Sequence, residues 1–579
     1  MGMDDLYRFG KRGSDCNISH FSDAEKAWLN LWSSILRLSA EYIGRNDSFF
    51  SLGGDSIVAI KLVAAARERG YDITVQQVFE NPTIAELAQQ FNTVENEQLR
   101  NVVIEKYSLL GLNEDEVQTL LNGEIRQNGI SPSDIEDVYP CTALQEALFA
   151  IGLRTQSDYL AQRVFVCGVD VDFERLKAAW ISVIMANAIL RTTIVFANSE
   201  KSHLNGLQVV LERNIIDWQE KNVGDGDDIK QVLANILEDD RKRGIETGRL
   251  LTRFTALRNG NGMSYFIWTI HHALYDGWSM DHMLNDLITA YQGQVVAIRP
   301  AYSHFINYNL QLSRSESIMY WSKVLNGVSK TFISKSTQLS KKAEAHKVIT
   351  SQVHIDFSEL TAKYDITLAT IVNLAWAIVL KYHTGNSDVV FGTVNSGRSI
   401  PVNGIDQICG PCITTLPVRV NFENNLTLVE MMASMHADRL QQHRYQNIGL
   451  LEIQKECTNI VNANLFDSLL VVQNLGIVEM DSLVNSVGLI EVKTSMPPDY
   501  PLVIDISTSD DDLEISILFD ECSISHHEVN WIMEHMKTTL GKIATNISTT
   551  VNDISIISDA EHRLLNKWGG ETIEYAYQG

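Results

Sequence analysis

The feature that most limits the possible folds is a pattern of alternating strands and helices that runs along the chain twice, in tandem. In the first run, the helix pattern of Phe173–Leu190 is followed by the strand pattern of Tyr265–Ile270. In the second run, the helix pattern of Leu368–Tyr382 is followed by the strand pattern of Asp388–Asn395. Helices and strands of this kind bury their apolar sides against each other in layers. Two α/β units of comparable size therefore predict a two-lobed α/β fold.

The N-terminal part of the chain is different, because its apolar residues follow helical spacing only. Ser22 followed by Glu25 is the signature of a capping box at a helix start. Four short helices are expected, beginning near Ser22, Ser56, Val75 and Thr83. They predict a small four-helix bundle at residues 20–93, after a flexible leader at residues 1–19 and before a helical linker at residues 94–132.

The strand pattern of Tyr265–Ile270 ends in the sequence His-His-Ala-Leu-Tyr-Asp-Gly, residues 271–277. Histidine is the side chain best suited to move a proton near neutral pH, and a strand end gives His272 a rigid base. Asp276 follows at a short spacing, and Gly277 lets the backbone turn without a Cβ clash. A core histidine with satisfied hydrogen bonds is the alternative interpretation, but the complete pattern favours a catalytic His272.

A second motif, Gly-Gly-Asp-Ser at residues 53–56, stands directly before a helix pattern. Serine is favoured at a helix start, where the dipole and the free N–H groups also attract a phosphate. An ordinary helix cap is the alternative. The amphipathic helix upstream and the segment Val78–Thr83 downstream favour Ser56 as an attachment site.

Composition narrows the possible partners and the cellular compartment of the protein. The formal net charge of −25 argues against nucleic acid or an anionic membrane as the main partner. No apolar stretch reaches transmembrane length and no secretory signal is visible, so we expect a cytoplasmic protein. Seven cysteines, an odd number, fit reduced thiols in that compartment. Cys409 and Cys412 have the spacing of a metal or redox pair, but without a second pair or a histidine set we expect no metal.

Together, the two motifs resemble a fungal-type fragment of a non-ribosomal peptide synthetase, a peptidyl carrier domain followed by a condensation domain. The resemblance implies a 4′-phosphopantetheine group on Ser56, added by a phosphopantetheinyl transferase. It implies that His272 is catalytic and that His271, Asp276 and Gly277 complete the family's His-His-x-x-x-Asp-Gly motif as structural residues. The implied partners are aminoacyl and peptidyl groups on carrier domains, together with neighbouring adenylation and carrier domains.

The same resemblance places the condensation domain at residues 133–556, with an N-terminal lobe at about 133–305 and a C-terminal lobe at about 306–556. Each lobe is expected to resemble chloramphenicol acetyltransferase, and the two are expected to form a V around a tunnel. Residues 557–579 resemble the linker that enters an adenylation domain.

Three further segments resemble family motifs. Leu190-Arg191-Thr192-Thr193 resembles the second core motif, which implies a buried structural ion pair between Arg191 and Asp276; breaking one partner of such a pair costs about 3–5 kcal/mol. Thr142–Leu148 resembles the first core motif in a fungal form, and Val390–Arg398 resembles the segment at the lobe junction. We assign no chemistry to these last two.

The activity implied by the resemblance is amide-bond formation of the acyltransferase or ligase type, in which an acceptor amine attacks a carrier-bound thioester. His272 either takes the amine proton or orients the amine, and the upstream carrier of Ser56 supplies the donor. Alternatives are a terminal domain that releases its product by macrocyclisation or oligomerisation, an epimerising domain, an acyltransferase using free coenzyme A, and a non-catalytic module that only presents a carrier. The presence of both histidines argues against the heterocyclising branch, where Asp replaces them, and His271 against terminal cyclising domains that have Ser there.

Overall fold

A computed structural model of the protein describes residues 21–90, 103–155, 158–197, 204–212, 216–224, 226–260, 263–335, 346–460, 464–473, 480–495, 500–509, 512–558, 561–563 and 566. The predicted leader at residues 1–19 lies outside these ranges, as does most of the predicted tail at residues 557–579.

Residues 21–90 form the predicted helical bundle. Its α-helices have the following bounds: α1 Asp23–Leu36, α2 Ser56–Glu68, α3 Val75–Glu80 and α4 Ile84–Gln90. The predicted capping box is present, since the Glu25 N–H donates to the Ser22 hydroxyl over 3.2 Å and the Ser22 N–H donates to the Glu25 carboxylate over 2.7 Å. The fully buried rings of Trp28 and Trp32 lie at the centre of the bundle. Large aromatic rings supply much of the apolar area that so small a core needs.

The segment after the bundle packs on the domain that follows it. It contains α5, Glu114–Leu120, which continues into one π-helical turn at Leu121–Ile125. Leu110 and Val117 belong to the same buried cluster as strand residues of the first lobe. The predicted helical character is therefore present in the described part of the linker, whereas the domain bounds stay a prediction.

The first lobe contains two sheets. Its strands are β1 Ile135–Pro140, β2 Leu160–Cys167, β3 Thr192–Phe196, β4 Gly206–Leu211, β5 Trp218–Asn222, β6 Thr252–Arg258 and β7 Ser264–His271. Its helices are α6 Ala143–Thr155, α7 Phe173–Ala186, α8 Ile229–Arg243, α9 Gly277–Tyr291 and α10 Ser303–Gln311. One sheet has the order β1-β4-β3, and β2-β7-β6-β5 are consecutive strands of the other. Strands β6 and β7 pair antiparallel.

Aromatic packing fixes the central strand β7. The Trp180 ring of α7 is fully buried, with its centroid 4.5 Å from Trp268 and 4.7 Å from Phe254. Ring pairs at these distances add about 0.5–1.5 kcal/mol each beyond their buried area. The strand that carries the histidine pair therefore lies in the most densely aromatic part of the lobe.

The second lobe is built on one six-stranded sheet. Its strands are β8 His346–Val353, β9 Asp388–Asn395, β10 Thr414–Asn421, β11 Ser468–Gln473, β13 Leu502–Ser509 and β14 Asp512–Asp520; β12, Leu489–Ser495, precedes β13 in the chain. The order of the strands in this sheet is β10-β9-β11-β13-β14-β8. Its helices are α11 Arg314–Val324, α12 Ser358–Tyr364, α13 Leu368–Thr384, α14 Leu428–Gln442, α15 Leu450–Cys457, α16 Met480–Val487 and α17 His526–Thr545. The helical bundle and the two α/β lobes confirm the predicted fold class.

Strand β12 leaves the second lobe and completes the sheet of the first. It pairs antiparallel with β2, so the five-stranded sheet has the order β12-β2-β7-β6-β5. The Arg163 guanidinium of β2 donates to both carboxylate oxygens of Glu491 on β12, over 2.7 and 2.5 Å. Leu483 and Leu489 add buried side chains to the core of the first lobe. The lobes are therefore joined by backbone hydrogen bonds as well as by side-chain contacts.

Within the described ranges, no single helix is both long enough and apolar enough to cross a membrane. Helices α12 and α13 meet those criteria only as a pair, and the pair is bent by 103°.

Candidate active site

The histidine motif occupies the end of β7 and the short turn after it. His271 is the last residue of the strand, His272–Leu274 form a 3-10 turn, and α9 begins at Gly277. The His272 N–H donates to the Tyr159 carbonyl over 2.8 Å, and Tyr159 has a left-handed backbone with φ of 62°. A non-glycine residue held there costs on the order of 1–3 kcal/mol. The backbone beneath His272 is therefore fixed at the expense of local strain.

The His272 ring is half-buried and held in one orientation. Its Nδ1 lies 2.9 Å from the Tyr275 carbonyl oxygen, and the ring stacks on that of Tyr275 with a centroid distance of 4.7 Å. Because a carbonyl oxygen only accepts, Nδ1 carries the proton and Nε2 carries the lone pair. Burial lowers the pKa of His272, while the hydrogen bond to Tyr275 and the charge of Asp276 oppose the shift. The neutral ring thus presents Nε2 as a base.

His271 is fully buried and has a structural setting. Its Nδ1 accepts the Ala273 N–H over 3.2 Å, and its ring meets Phe149 edge-on at 6.0 Å. Burial lowers the pKa of His271 to about 3, so the ring stays neutral. A Cβ placed on Gly152 would lie 2.8 Å from the His271 Nε2, so a glycine permits this close approach of α6.

Asp276 caps α9 and is completely buried. Its Oδ1 accepts the Ser279 N–H over 2.8 Å and the Ser279 hydroxyl over 2.6 Å, and its Oδ2 accepts the Cys412 N–H over 3.0 Å. Buried carboxylates require such donors, because an unpaired charge in the interior is strongly destabilising. Gly277, expected to permit the turn, is the exposed first residue of the helix.

The cation that pairs with Asp276 is Arg398, so the predicted ion pair of Asp276 with Arg191 is wrong. The Arg398 guanidinium donates to both Asp276 oxygens over 3.0 and 2.9 Å, and both side chains are essentially inaccessible. It also donates to the carbonyls of Ile405 and Ile408 over 2.7 and 2.8 Å. Asp276 belongs to the first lobe and Arg398 to the second, so this pair joins the lobes directly behind the histidine motif.

Arg191 has a different partner because it lies beside the three-stranded sheet. It precedes β3, and its guanidinium reaches Glu136 of β1 over 2.6 Å and the Leu211 carbonyl of β4. The side chain is buried, as expected, but it stabilises the β1-β4-β3 sheet. Its geometry gives it no direct part in holding Asp276.

Two glycines shape the pocket around Asp276. Gly397 has φ of +65°, and a Cβ there would lie 1.8 Å from the Cys412 carbonyl oxygen. Gly410 has φ of +148°, and a Cβ there would lie 2.2 Å from the Tyr302 ring. Both positions combine a left-handed backbone with a close approach, which only glycine accepts. They bring the second lobe into contact with the motif.

Gln145 is a site residue to which sequence reasoning assigned no role. It lies on α6 within the first-core-motif segment and is fully buried. Its amide donates to the Ala273 carbonyl over 3.0 Å and to the Gln208 side chain over 2.8 Å. Because Ala273 follows His272 directly, Gln145 fixes the turn that carries the imidazole.

The second motif begins a helix, as predicted. Ser56 is the first residue of α2, and the capping side chain is Asp55, which accepts the N–H groups of Ile57 and Val58 over 2.8 Å each. A Cβ on Gly54 would lie 2.4 Å from the Phe49 ring, so the loop needs glycine to reach this position. A serine at the first turn of a 13-residue helix suits a phosphate ester, because the helix dipole favours a negative charge there.

The helical bundle of residues 21–90 packs against both lobes next to the histidine motif. Trp278, the second residue of α9, and Leu440 of α14 lie against the bundle core. The Lys61 ammonium lies 5.8 Å from the Trp278 ring, and the Arg398 guanidinium lies 5.5 Å from the same ring. The Phe79 ring lies 5.8 Å from His436 of α14. The bundle therefore contacts the helix that starts within the histidine motif.

Cys409 and Cys412 are both buried free thiols. Burial raises the pKa of each to about 12, so both remain protonated at neutral pH. Across the described part of the chain, no three His, Cys, Asp or Glu side chains cluster in a way that could hold a metal ion.

Comparison with known families gives two matches. Residues 135–566 match the model described as "Condensation domain", and residues 29–91 match the model described as "Phosphopantetheine attachment site". Together these matches cover both candidate sites.

Similar curated proteins are fungal synthetases. The chain is 28% identical over 573 residues to the nonribosomal peptide synthetase sidD of Aspergillus fumigatus, covering 97% of this chain and 26% of that protein. It is 30% identical over 556 residues to the peramine synthetase ppzA of Metarhizium rileyi, covering 94% of this chain and 18% of that protein. The chain therefore spans about a quarter or less of the length of these relatives.

Solved structures share the fold. One titled "The crystal structure of holo T3CT" matches with a TM-score of 0.62 and 19% identity, over 77% of this chain and 100% of that chain. The X-domain from teicoplanin biosynthesis matches with a TM-score of 0.56 and 16% identity, over 72% of this chain and 97% of that chain.

Proposed function

We propose that this chain, which belongs to the condensation domain family of non-ribosomal peptide synthetases and has a phosphopantetheine attachment domain at its N-terminus, joins an acyl group carried on Ser56 to an acceptor amine. The observation that carries the proposal is the tautomer of His272. Its Nδ1 donates to the Tyr275 carbonyl over 2.9 Å, which leaves the Nε2 lone pair for the amine.

The phosphopantetheine group supplies a long flexible arm with a terminal thiol, on which the acyl group is held as an activated thioester. With an acyl group held there, His272 Nε2 would accept a proton from the acceptor amine as the amine nitrogen bonds to the acyl carbon and the carbon–sulfur bond breaks. The His272 imidazolium would then return this proton to the leaving sulfur, so the products would be an amide and a free thiol. Proton acceptance by a positioned base contributes typically 10²–10⁴-fold to a rate.

The remaining residues keep the imidazole in place. Gln145 holds the Ala273 carbonyl, and Asp276 with Arg398 anchors the far end of the turn at the junction of the lobes. Fixing the reacting atoms in this way lowers the barrier further, because misplacement by about 1 Å can cost 10²-fold. The partners that follow from this proposal are acyl and peptidyl carriers, neighbouring synthetase domains and a phosphopantetheinyl transferase.

The test uses the full chain in one turnover. A phosphopantetheinyl transferase and an acyl coenzyme A place the acyl arm on Ser56, a soluble aminoacyl thioester mimic is added, and mass spectrometry follows the Ser56 peptide and the amide. His272→Ala should acylate normally and lose about 10²-fold or more in transfer. His304→Ala removes another half-buried histidine and should transfer at the normal rate.

Two results would count against the proposal. Equal transfer by His272→Ala would exclude the imidazole as the base, and acylation that persists in Ser56→Ala would exclude Ser56 as the attachment site. An acyl group with its own terminal amine also tests the rival activity. If this acyl group is released as a ring when no acceptor has been added, the chain catalyses terminal cyclisation.

A further inference from the structure

A cavity of about 460 Å³ lies in the second lobe, next to the contact with the carrier bundle. Its walls are formed by α11, α13, α14 and the strands β9 and β10, and its lining includes the polar side chains of Asn373, Thr393 and Asn395. His272 is not among the residues that line it. The cavity is therefore separate from the imidazole site.

Asn373 gives this cavity a built polar interior. The side chain is only 6% exposed, and its Nδ2 donates to the Ala369 carbonyl over 2.6 Å. Its Oδ1 has no partner within the described residues. An unsatisfied buried acceptor lowers stability unless some group donates to it, so Asn373 indicates a ligand with an N–H or O–H donor.

Arg439 stands between this cavity and the carrier. On α14, His436 and Leu440 contact the bundle, whereas Asp438 and Gln442 line the cavity. With 3.6 residues per turn, Arg439 falls between these two sides of the helix, and it also lines the cavity.

Arg439 is a half-buried cation near Asp55, the N-cap residue of α2. Burial lowers the pKa of its guanidinium, and the opposing carboxylate is Asp55, the residue directly before Ser56. The Arg439 side chain lines the cavity, so an anionic group inside the cavity can reach its guanidinium. A guanidinium is well suited to bind phosphate oxygens.

We propose that this cavity is a resting pocket for the phosphopantetheine arm of Ser56, in which Arg439 binds the phosphodiester and Asn373 Oδ1 accepts an amide N–H of the pantetheine. The inference rests on the proposed function, since it requires the arm on Ser56. The ligand class is a phosphodiester followed by an amide-containing chain that ends in a thiol. The arm has two positions, one toward His272 during transfer and one in the resting pocket between turnovers.

The test measures how fast N-ethylmaleimide alkylates the arm thiol of the full holo chain, read by mass spectrometry of the Ser56 peptide. This peptide reports the arm alone, although Cys522 is also an exposed thiol. Arg439→Gln should alkylate about tenfold faster than the unmodified sequence, as expected for the loss of one charge-assisted hydrogen bond from the resting state. Arg439→Lys keeps the charge and should restore part of the protection.

The matched control is Arg444→Gln. Arg444 contacts the same bundle, donating to the Gln76 side chain over 3.2 Å, but does not line the cavity. Asn373→Leu should accelerate alkylation as well, and Arg444→Gln should not. Equal acceleration by Arg439→Gln and Arg444→Gln would mean that both merely loosen docking, and would overturn the proposal.

An unchanged alkylation rate in Arg439→Gln and Asn373→Leu would overturn it too. Failure of the proposed function looks different. A chain that takes up no arm on Ser56 contradicts the function, whereas a chain that takes up the arm and leaves its thiol equally reactive in all variants contradicts only the resting pocket. His272→Ala should leave the protection unchanged.

Discussion

The strongest quantitative prediction concerns the buried pair of Asp276 and Arg398. The perturbation is Arg398→Met, which keeps an unbranched apolar stem and removes the guanidinium. Asp276 then keeps its bonds from Ser279 and Cys412 but loses its only cation among the described residues, and the carbonyls of Ile405 and Ile408 lose a donor. We expect the free energy of unfolding to fall by about 3–5 kcal/mol, as for other buried pairs broken on one side.

A double-mutant cycle turns this estimate into a test of the pairing. Combining Arg398→Met with Asp276→Asn removes both charges, so the double variant should be more stable than the sum of the single losses by about 2 kcal/mol or more. Combining Arg191→Met with Asp276→Asn should give a coupling within about 0.5 kcal/mol of zero, because the two residues share no partner.

The pair of Arg191 with Glu136 is the reference for a partly exposed ion pair in the same lobe. The Glu136 side chain is 39% exposed, so water screens its pair with Arg191. Coupling of Arg191→Met with Glu136→Gln should stay at about 1 kcal/mol or less.

The assay is urea unfolding of the full chain. Unfolding of the lobes is followed by the protection of the α9 peptide from proteolysis, so that unfolding of the carrier bundle does not contribute to the signal. The slope of the free energy of unfolding against urea concentration should be the same in all variants. Coupling between Asp276 and Arg191 that exceeds the coupling between Asp276 and Arg398 would refute the pairing described above.

Three shorter predictions follow from the same site. Because burial lowers the pKa of His272 and the base must be neutral, the rate of transfer per unprotonated acceptor amine should show an acid limb centred below the ordinary histidine value of 6.5; a limb of this corrected rate centred above 6.5 contradicts the assignment. Gly152→Ala places a Cβ 2.7 Å from Ile245 and 2.8 Å from His271 and should cost about 1–3 kcal/mol in urea unfolding, whereas Gly123→Ala, with no atom within 4 Å of its Cβ, should be neutral or stabilising. Gln145→Leu should lower the rate of single-turnover transfer about 10- to 100-fold with little change in the KM for the acceptor. Gln145→Asn should recover less than half of this loss, because its shorter side chain does not reach the Ala273 carbonyl.

Local chemistry explains what could be predicted from the sequence. The carrier helices, the end of β7 and the start of α9 follow from spacing, caps and glycines, which act over a few residues. The Ser22 capping box and the helix start at Ser56 are of this kind. Local signals of this kind predict the fold class, and the structure confirms it.

The partner of Asp276 depends on packing, which the sequence does not display. Arg191 and Arg398 are both arginines in segments that resemble family motifs, and only the tertiary fold brings one of them to a carboxylate 122 positions away. The tautomer of His272 could not be predicted from the sequence either, because it depends on the direction of the Tyr275 carbonyl. Strand β12 was not predicted from the sequence, and the sheet that it enters depends on tertiary packing in the same way.

The crossing of β12 sets a practical limit on how such chains can be recombined. A chimera cut between the lobes would strip β2 of its neighbour, leaving a row of unpaired amides and carbonyls on a strand that is mostly buried, and would separate Arg163 from Glu491. When the first lobe is exchanged between synthetases, residues 480–495 should therefore be exchanged with it, although they lie far downstream in the gene.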